Sequence, residues 1–329
     1  MQGTILVTGA NGFLGRSLCQ RLHAIGQKIR ALVRGPGHDQ LLNDICTEVV
    51  TGDIREEKVI ERSCKGVVGI FHLAAIVQKA GIQDSEFYDI HVNATKTLLD
   101  YAIKYNVSKV VHCSTIGVLG HIEKPPADET APFNAEDIYQ VTKAEAEKVV
   151  LQHYKEHKTP VTIVRPTAIY GPGDKRLLKL FKMILNGKFH MVGNGNTFIH
   201  PVYVDDLIDG MLLAYENSKS EGEIYIIGGA KYITLNEWVS IIGKTGGTVG
   251  SRFSIPYLPV QLGAILCEAI CKPFGIEPPL FRRRVDFFIK NRAFSIEKAR
   301  RELCYNPSVD LSEGARKTIS WYKKHGWVS

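Results

Sequence analysis

No apolar run in the chain reaches the roughly 20 residues that a bilayer-spanning helix requires. The longest helix-like one, Leu258 to Ile270, is interrupted by Gln261 and Glu268, so a soluble chain is expected. The opening MQGTILVTGANGFLG has neither a basic stretch ahead of a long apolar core nor a small-residue cleavage site. No translocation signal is read there, and a cytoplasmic location is the expectation. Cysteine is sparse and scattered, at positions 19, 46, 64, 113, 267, 271 and 304, with no Cys-x-x-Cys or His-rich spacing. This argues against a metal site and for reduced thiols. Internal repeats and low-complexity linkers are also lacking.

What is present is ordinary globular material: 329 residues, 44% hydrophobic and 23% charged, with 30 glycines spread without a collagen-like period. One or two domains with a sizeable core are implied. The net charge of +7 is uneven, because the stretch from Arg282 onward holds 12 Lys/Arg against 5 Asp/Glu, the whole of the excess. Those charges sit among helix-forming apolar residues (Ile296, Ala299, Leu303, then Ile319, Trp321, Tyr322) without an aromatic stacking platform. Solvated helix faces are therefore expected, with no nucleic-acid partner and with membrane-surface contact not favoured.

Short β-branched runs alternate with helical patterns: Thr4 to Thr8 then Phe13 to Ile25, and further runs at Lys28 to Val33, Glu48 to Thr51, Gly69 to Leu73, Lys109 to Cys113 and Val161 to Val164. Such alternation predicts an α/β fold with a doubly wound parallel sheet covered by helices on both faces. Two long helices are expected, at about Glu86 to Lys104 and Tyr139 to His157. After Pro166 the pattern loosens into Tyr170-Gly-Pro-Gly, a helix near Leu177 to Leu185 and an isolated strand at Gly222 to Ile227, which reads as a smaller mixed α/β part.

The first strand runs straight into Gly9-Ala-Asn-Gly12-Phe13-Leu14-Gly15 and then a helix. Glycines permit the tight turn and the close approach of backbone to a pyrophosphate, which sits at the helix N-terminus. This is the context of a Rossmann dinucleotide site. The second strand, Lys28 to Arg34, ends without the acid that would bind an NAD ribose hydroxyl, whereas Arg34 offers a planar fork for a 2′-phosphate. NADP(H) is favoured over NAD(H). Tyr139 and Lys143 stand four residues apart, hence on one helix face, where an ammonium favours phenolate over phenol and suits the tyrosine to general acid/base work. Upstream, Ser114 and Thr115 at a strand end offer hydroxyls to orient a substrate oxygen.

In combination the motifs resemble the extended short-chain dehydrogenase/reductases, the NAD-dependent epimerase/dehydratase superfamily. The resemblance spans nearly the whole chain and rests on Thr8-Gly-Ala-Asn-Gly-Phe-Leu-Gly15, Gly52-Asp53-Ile54, His72-Leu-Ala-Ala75, Ser114-Thr115, Tyr139-x-x-x-Lys143, Arg165-Pro166 and Tyr170-Gly-Pro172. It implies Thr115, Tyr139 and Lys143 as catalytic residues, Asp53 and Ile54 at adenine, Leu73, Ala74 and Ala75 along the cofactor channel, Pro166 near the nicotinamide, and Lys143 also on the nicotinamide ribose. It implies a dinucleotide-binding part over 1–172 with a return segment at 198–230, and a substrate-binding cap over 173–197 and 231–329. A family asparagine is replaced by His91, for which plain helix packing is expected.

The dehydratases of this superfamily carry an Asp-Glu pair after the catalytic Thr, where this chain has Ile116-Gly117. Its nucleotide-sugar epimerases hold a diphosphate with groups missing here, His200 being a poor substitute. The segment Ile29 to Arg34, the ending from Phe294 and the apolar segment Ile255 to Phe274 are similar to the dihydroflavonol reductase and 3β-hydroxysteroid dehydrogenase branch. An oxidoreductase acting on a small lipophilic or ring-bearing secondary alcohol or ketone is thus expected. The alternatives are an NDP-sugar 4-epimerase with bound NAD and a non-catalytic NADP(H)-binding sensor. For the segment 255–274 a core-packed cap helix ranks at least level with a lid, and a membrane-surface helix ranks third. The two long helices resemble the superfamily's dimer-forming pair, so a homodimer is envisaged.

Overall fold

The computed structural model describes residues 3–35, 40–77, 82–249, 253–271, 274 and 285–328. Residues 272 and 273 of the apolar segment and 282–284 of the basic tail lie outside the described residues. The chain begins with strands β1 (Thr4–Thr8), β2 (Lys28–Val33), β3 (Glu48–Thr51), β4 (Val67–His72), β5 (Lys109–Cys113) and β6 (Val161–Pro166). Between them lie helices α1 (Phe13–Ala24), α2 (Gln40–Ile45), α3 (Glu57–Cys64), α4 (Asp84–Tyr88), α5 (Ala94–Lys104) and α6 (Ile138–His157). The six strands are parallel and ordered β3-β2-β1-β4-β5-β6. β6, Val-Thr-Ile-Val-Arg-Pro, is buried at every position, as expected of a strand with helices on both faces.

After β3 the chain crosses to the far side of β1, and this reversal opens a crevice at the carboxyl ends of β1 and β4. One face of the sheet packs Ile5, Val7, Phe71 and Val111 against α1 residues such as Leu18 and Leu22. The other packs Leu6, Ile70 and Val110 against Ile60, Leu98 and Val150 from α3, α5 and α6.

Beyond β6 come β7 (Ala168–Tyr170), α7 (Leu178–Leu185), β8 (Met191–Val192), β9 (Phe198–Ile199), β10 (Pro201–Tyr203) and α8 (Val204–Glu216). The next strand, β11 (Ile224–Ile227), is not isolated: it pairs with β6 in parallel, Ile224 opposite Ile163, as the seventh strand of the main sheet. Its four apolar residues need two covered faces, and the sheet edge beside β6 supplies them. The remaining elements are β12 (Ile233–Thr234), α9 (Leu235–Thr245), β13 (Ser254–Ile255), α10 (Tyr257–Cys271), α11 (Glu297–Leu303) and α12 (Leu311–Lys324). Trp238 of α9 is fully buried against Tyr170 and Phe181, and the Tyr322 hydroxyl of α12 donates to the Asp174 carbonyl at 2.5 Å.

Two further expectations are corrected. The helix expected from Glu86 to Lys104 contains a π-helical turn at Asp89–Asn93, a wide turn often found at functional positions. α10 is not a core helix, since only Ala264 and Glu268 along it are buried.

Candidate active site

Gly9 and Gly15 show why the loop after β1 is built from glycine. Gly9 has φ +68, and a Cβ there would lie 2.9 Å from the backbone nitrogen of Ala74. A Cβ on Gly15 would fall 2.3 Å from the Gly9 carbonyl oxygen. The loop is thereby pressed onto Leu73 and Ala74 at the end of β4, which closes one wall of the crevice. Thr8 fastens the same wall, its Oγ1 accepting the N–H groups of Leu73 and Ala74, each at 3.1 Å. α1 starts at Phe13 with Gly12 as its N-cap and no side-chain cap, so its first N–H groups are offered to an anion. Gly12 caps α1, Leu14 lies in its first turn and Ala75 follows β4 by three residues, while Phe13 reaches the Tyr170-Gly-Pro-Gly turn, 3.5 Å from a Cβ built on Gly171. A cradle that side chains would fill, beside an open helix end, fits a pyrophosphate.

On the far side, α6 begins with the Asp137 carboxylate accepting the Gln140 N–H, and this cap sets the helix phase that carries Tyr139 and Lys143. Lys143 is buried, and its Nζ donates to the Cys113 carbonyl at 2.7 Å and approaches His112 Nε2 at 3.5 Å. Burial, opposed by neighbouring Cys113 and Glu147, lowers its pKa. Thr115 caps a 3₁₀ turn over Ile116–Leu119, accepting the Gly117 N–H at 3.1 Å and keeping its own hydrogen to donate. A Cβ on Gly117 would come within 3.3 Å of Thr115 Oγ1 and 3.4 Å of Gln140 Cγ, so the Thr115 turn rests on the first turn of α6.

Ser114 differs from its neighbour. It is buried and its hydroxyl donates to Glu147, which also holds the Arg165 guanidinium in a two-toothed ion pair at 2.7 to 3.2 Å. Glu147 is 0% and Arg165 2% exposed. Pro166 follows Arg165 at the buried end of β6. This buried pair ties α6 to β6 behind the site. Its members are 18 residues apart on different elements, and nothing in their spacing signals it.

His91 does more than pack. From the π turn, its ring meets Tyr139 edge-on at 5.5 Å, its Nδ1 lies 2.8 Å from Thr142 Oγ1, and its Nε2 accepts the Ile76 N–H. Burial drives its pKa, like that of His72, down to about 3, and that of His112 well below the usual value. Three neutral imidazoles therefore surround the Lys143 ammonium.

At the outer end of the crevice Arg34 is exposed after β2. Both Asp53 oxygens bond the Arg55 guanidinium, which, with Arg34 further off, holds the carboxyl below its usual range. Arg55 was not among the expected site residues, though it follows the Gly-Asp-Ile motif directly. Ile54, between them in the chain, is buried in the core with Leu32, Val50 and Val59. His200, for its part, is buried, its Nε2 donating to the Gly229 carbonyl at 2.8 Å, and burial lowers its pKa.

The model of the NAD dependent epimerase/dehydratase family matches residues 5–228. The chain belongs to this family. It is an extended short-chain dehydrogenase/reductase, an NAD(P)-dependent oxidoreductase whose relatives include steroid dehydrogenases. A ketoreductase of Stigmatella aurantiaca that acts on 4-hydroxy-2-methyl-3-oxo-4-farnesyl-3,4-dihydroquinoline-1-oxide is 30% identical, with 94% of this chain and 93% of the relative covered. A 3β-hydroxysteroid dehydrogenase/Δ5→4-isomerase of Mycobacterium tuberculosis is 29% identical over 97% of this chain and 90% of its own length. The crystal structure of gox2253 superposes with a TM-score of 0.83 at 29% identity, covering 99% of both chains. In this epimerase/dehydratase-family member the position after Thr115 is the buried Ile116, an apolar group unable to serve elimination of water.

Proposed function

We propose that the protein is an NADP(H)-dependent dehydrogenase/reductase that interconverts a lipophilic or ring-bearing secondary alcohol and its ketone. What supports this reading is that Tyr139 stands edge-on to the buried His91, Lys143 is anchored on the Cys113 carbonyl at the end of β5, and the Thr115 turn that follows β5 rests on the first turn of the helix carrying them. Gly9, Gly12, Phe13, Leu14 and Gly15 would hold the pyrophosphate, Asp53 and Ile54 the adenine side, Arg34 the 2′-phosphate, and Leu73, Ala74, Ala75 and Pro166 the nicotinamide side. When bound, the nicotinamide supplies or accepts the hydride. Tyr139 Oη exchanges the proton on the substrate oxygen. Thr115 Oγ1 donates a hydrogen bond to that oxygen and orients it. Lys143, anchored on the Cys113 carbonyl, favours the phenolate and has further N–H groups for the ribose.

The lipophilic substrate class draws support from the quinoline and steroid relatives. An NDP-sugar substrate would need a diphosphate ligand, and the neutral His200 turned to the Gly229 carbonyl is ill suited to be one. The reading extends to a cytosolic enzyme, to 1–172 with 198–230 as the cofactor-binding part and the rest as cap, and to a homodimer through α5 and α6.

The test is NADPH consumption against a panel of 3-ketosteroids and alkyl ketones, with Tyr139→Phe alongside. Turnover with wild type and a loss of about 10²- to 10⁴-fold in the variant is expected. Unchanged turnover in Tyr139→Phe would discard the assignment, and native mass spectra showing firmly retained NAD would favour the epimerase.

A further inference from the structure

The hydrogen bonds of His72, His91 and His112 set one of the three apart. Thr8 Oγ1 accepts the Leu73 and Ala74 N–H groups, so its own hydrogen goes to His72 Nδ1 at 2.8 Å. The proton of that ring is therefore on Nε2 and is donated to Thr95 Oγ1 at 2.9 Å, while the Thr95 hydroxyl donates to the His91 carbonyl. His91 also has both nitrogens engaged, with Ile76 and Thr142. Neither ring has a nitrogen left for Lys143.

His112 has one. Strand alternation puts it, with Val110, on the face of β5 that α5 and α6 cover, while Val111 and Cys113 point to the other face. It is 1% exposed, its Nε2 lies 3.5 Å from Lys143 Nζ, and its Nδ1 has no partner among the described residues. An ammonium only donates, so Nε2 carries the lone pair and the ring proton is stranded on Nδ1. A buried N–H without a partner is costly, and an aliphatic residue after Val110 and Val111 would fill the strand without that cost. What the imidazole supplies is an acceptor with no negative charge. A carboxylate in its place would neutralise the ammonium, whereas a neutral ring holds one N–H and leaves the charge to act on Tyr139.

We propose that His112 is a positioning residue for Lys143. Of the two N–H groups that the Cys113 carbonyl leaves on Nζ, the His112 lone pair takes one, and the other is left for the cofactor ribose. The proposal deepens the role given to Lys143 above and rests on it. The groups facing Lys143 leave its charge uncancelled. His72 and His91 are neutral, burial pushes the Cys113 thiol up to about 11, and the Glu147 carboxylate is committed to Arg165.

The experiment has two arms. In cofactor-free protein labelled with [15N]histidine, the His112 ring, assigned by its loss in His112→Gln, should carry its proton on Nδ1. In Lys143→Met its Nε2 resonance should move more than those of His72 and His91. A proton on Nε2, or an Nε2 signal indifferent to Lys143→Met, overturns the proposal. These spectra need neither cofactor nor substrate, so they decide the contact even where no ketone turns over and the proposed function fails. The second arm compares kcat, its pH profile and urea unfolding in wild type, His112→Leu and His112→Gln. His112→Leu should lose about ten-fold in kcat and bring the alkaline limb, where Lys143 gives up its proton, about half a unit lower, because the ammonium has lost an acceptor. It should unfold at the same urea concentration as wild type or a higher one, since the stranded Nδ1–H is gone. His112→Gln, which restores an acceptor, should recover part of both kinetic losses. Kinetics unchanged in His112→Leu, or a loss matched by instability and not recovered in His112→Gln, overturns the proposal and leaves a packing group.

Discussion

His91 Nε2 accepts the backbone N–H of Ile76 at 3.1 Å. A backbone amide can only donate, so the imidazole is neutral with its proton on Nδ1, and that proton goes to Thr142 Oγ1 at 2.8 Å. Thr142 in turn donates to the Ile138 carbonyl. One side chain thus joins the loop that follows β4 to the helix turn that carries Tyr139. Replacing it by leucine leaves the Ile76 N–H without a partner, a cost of about 1 to 3 kcal/mol. We expect His91→Leu to lower kcat more than it raises KM, and His91→Asn to recover part of the loss by restoring an acceptor. Steady-state kinetics with urea unfolding of both variants checks this; equal kinetics in wild type and His91→Leu would leave the imidazole a packing group alone.

The Glu147–Arg165 pair is expected to behave as a buried charge pair. Removing one partner strands the other in a medium that solvates it poorly, so Glu147→Ala should destabilise the fold by about 3 to 5 kcal/mol. Joint replacement, Glu147→Leu with Arg165→Met, should cost much less than either single change, because no charge is left unpaired. Denaturant midpoints of the three variants measure the coupling, and additive losses would contradict it.

Acid should unfold the protein through its buried imidazoles. The folded-state pKa of His72 and His91 is held down at about 3, and that of His112 lies well below the usual 6.5. Between pH 6.5 and 3 the unfolded chain therefore binds protons that the native state refuses. Stability present above pH 6.5 is lost as the pH falls, with a slope approaching ~1.4 kcal/mol per pH unit for each such histidine. Urea titrations at pH 7, 6 and 5 read the slope directly. Replacing His72 by glutamine should make it shallower.

Arg34 should choose between cofactors. If it meets a 2′-phosphate, Arg34→Ala should raise KM for NADPH by about 10- to 100-fold, the worth of one charge-assisted contact, and leave KM for NADH near its original value. A parallel rise for both cofactors would assign the preference to other groups, with Arg55 the first to try.

Local chemistry made one half of this protein readable from its sequence. A β-branched run, a glycine turn and an amphipathic helix are contiguous from Thr4 to Ala24, so the cofactor loop is legible from neighbours alone. Tyr139 and Lys143 share a face because the helix repeat places them there. What only the tertiary structure decided was set by contacts between distant segments. β11 looked isolated because its partner β6 lies some sixty residues earlier; burial of both its faces is a property of the sheet. The π turn that delivers His91 to Ile76 and Thr142, and the Ser114–Glu147–Arg165 network, join positions whose spacing carries no period. α10 has the composition of a core helix, and only its place in the fold shows that its apolar face is turned outward. Apolarity states what a segment must be kept from, namely water, while the packing of the whole chain determines what does the covering.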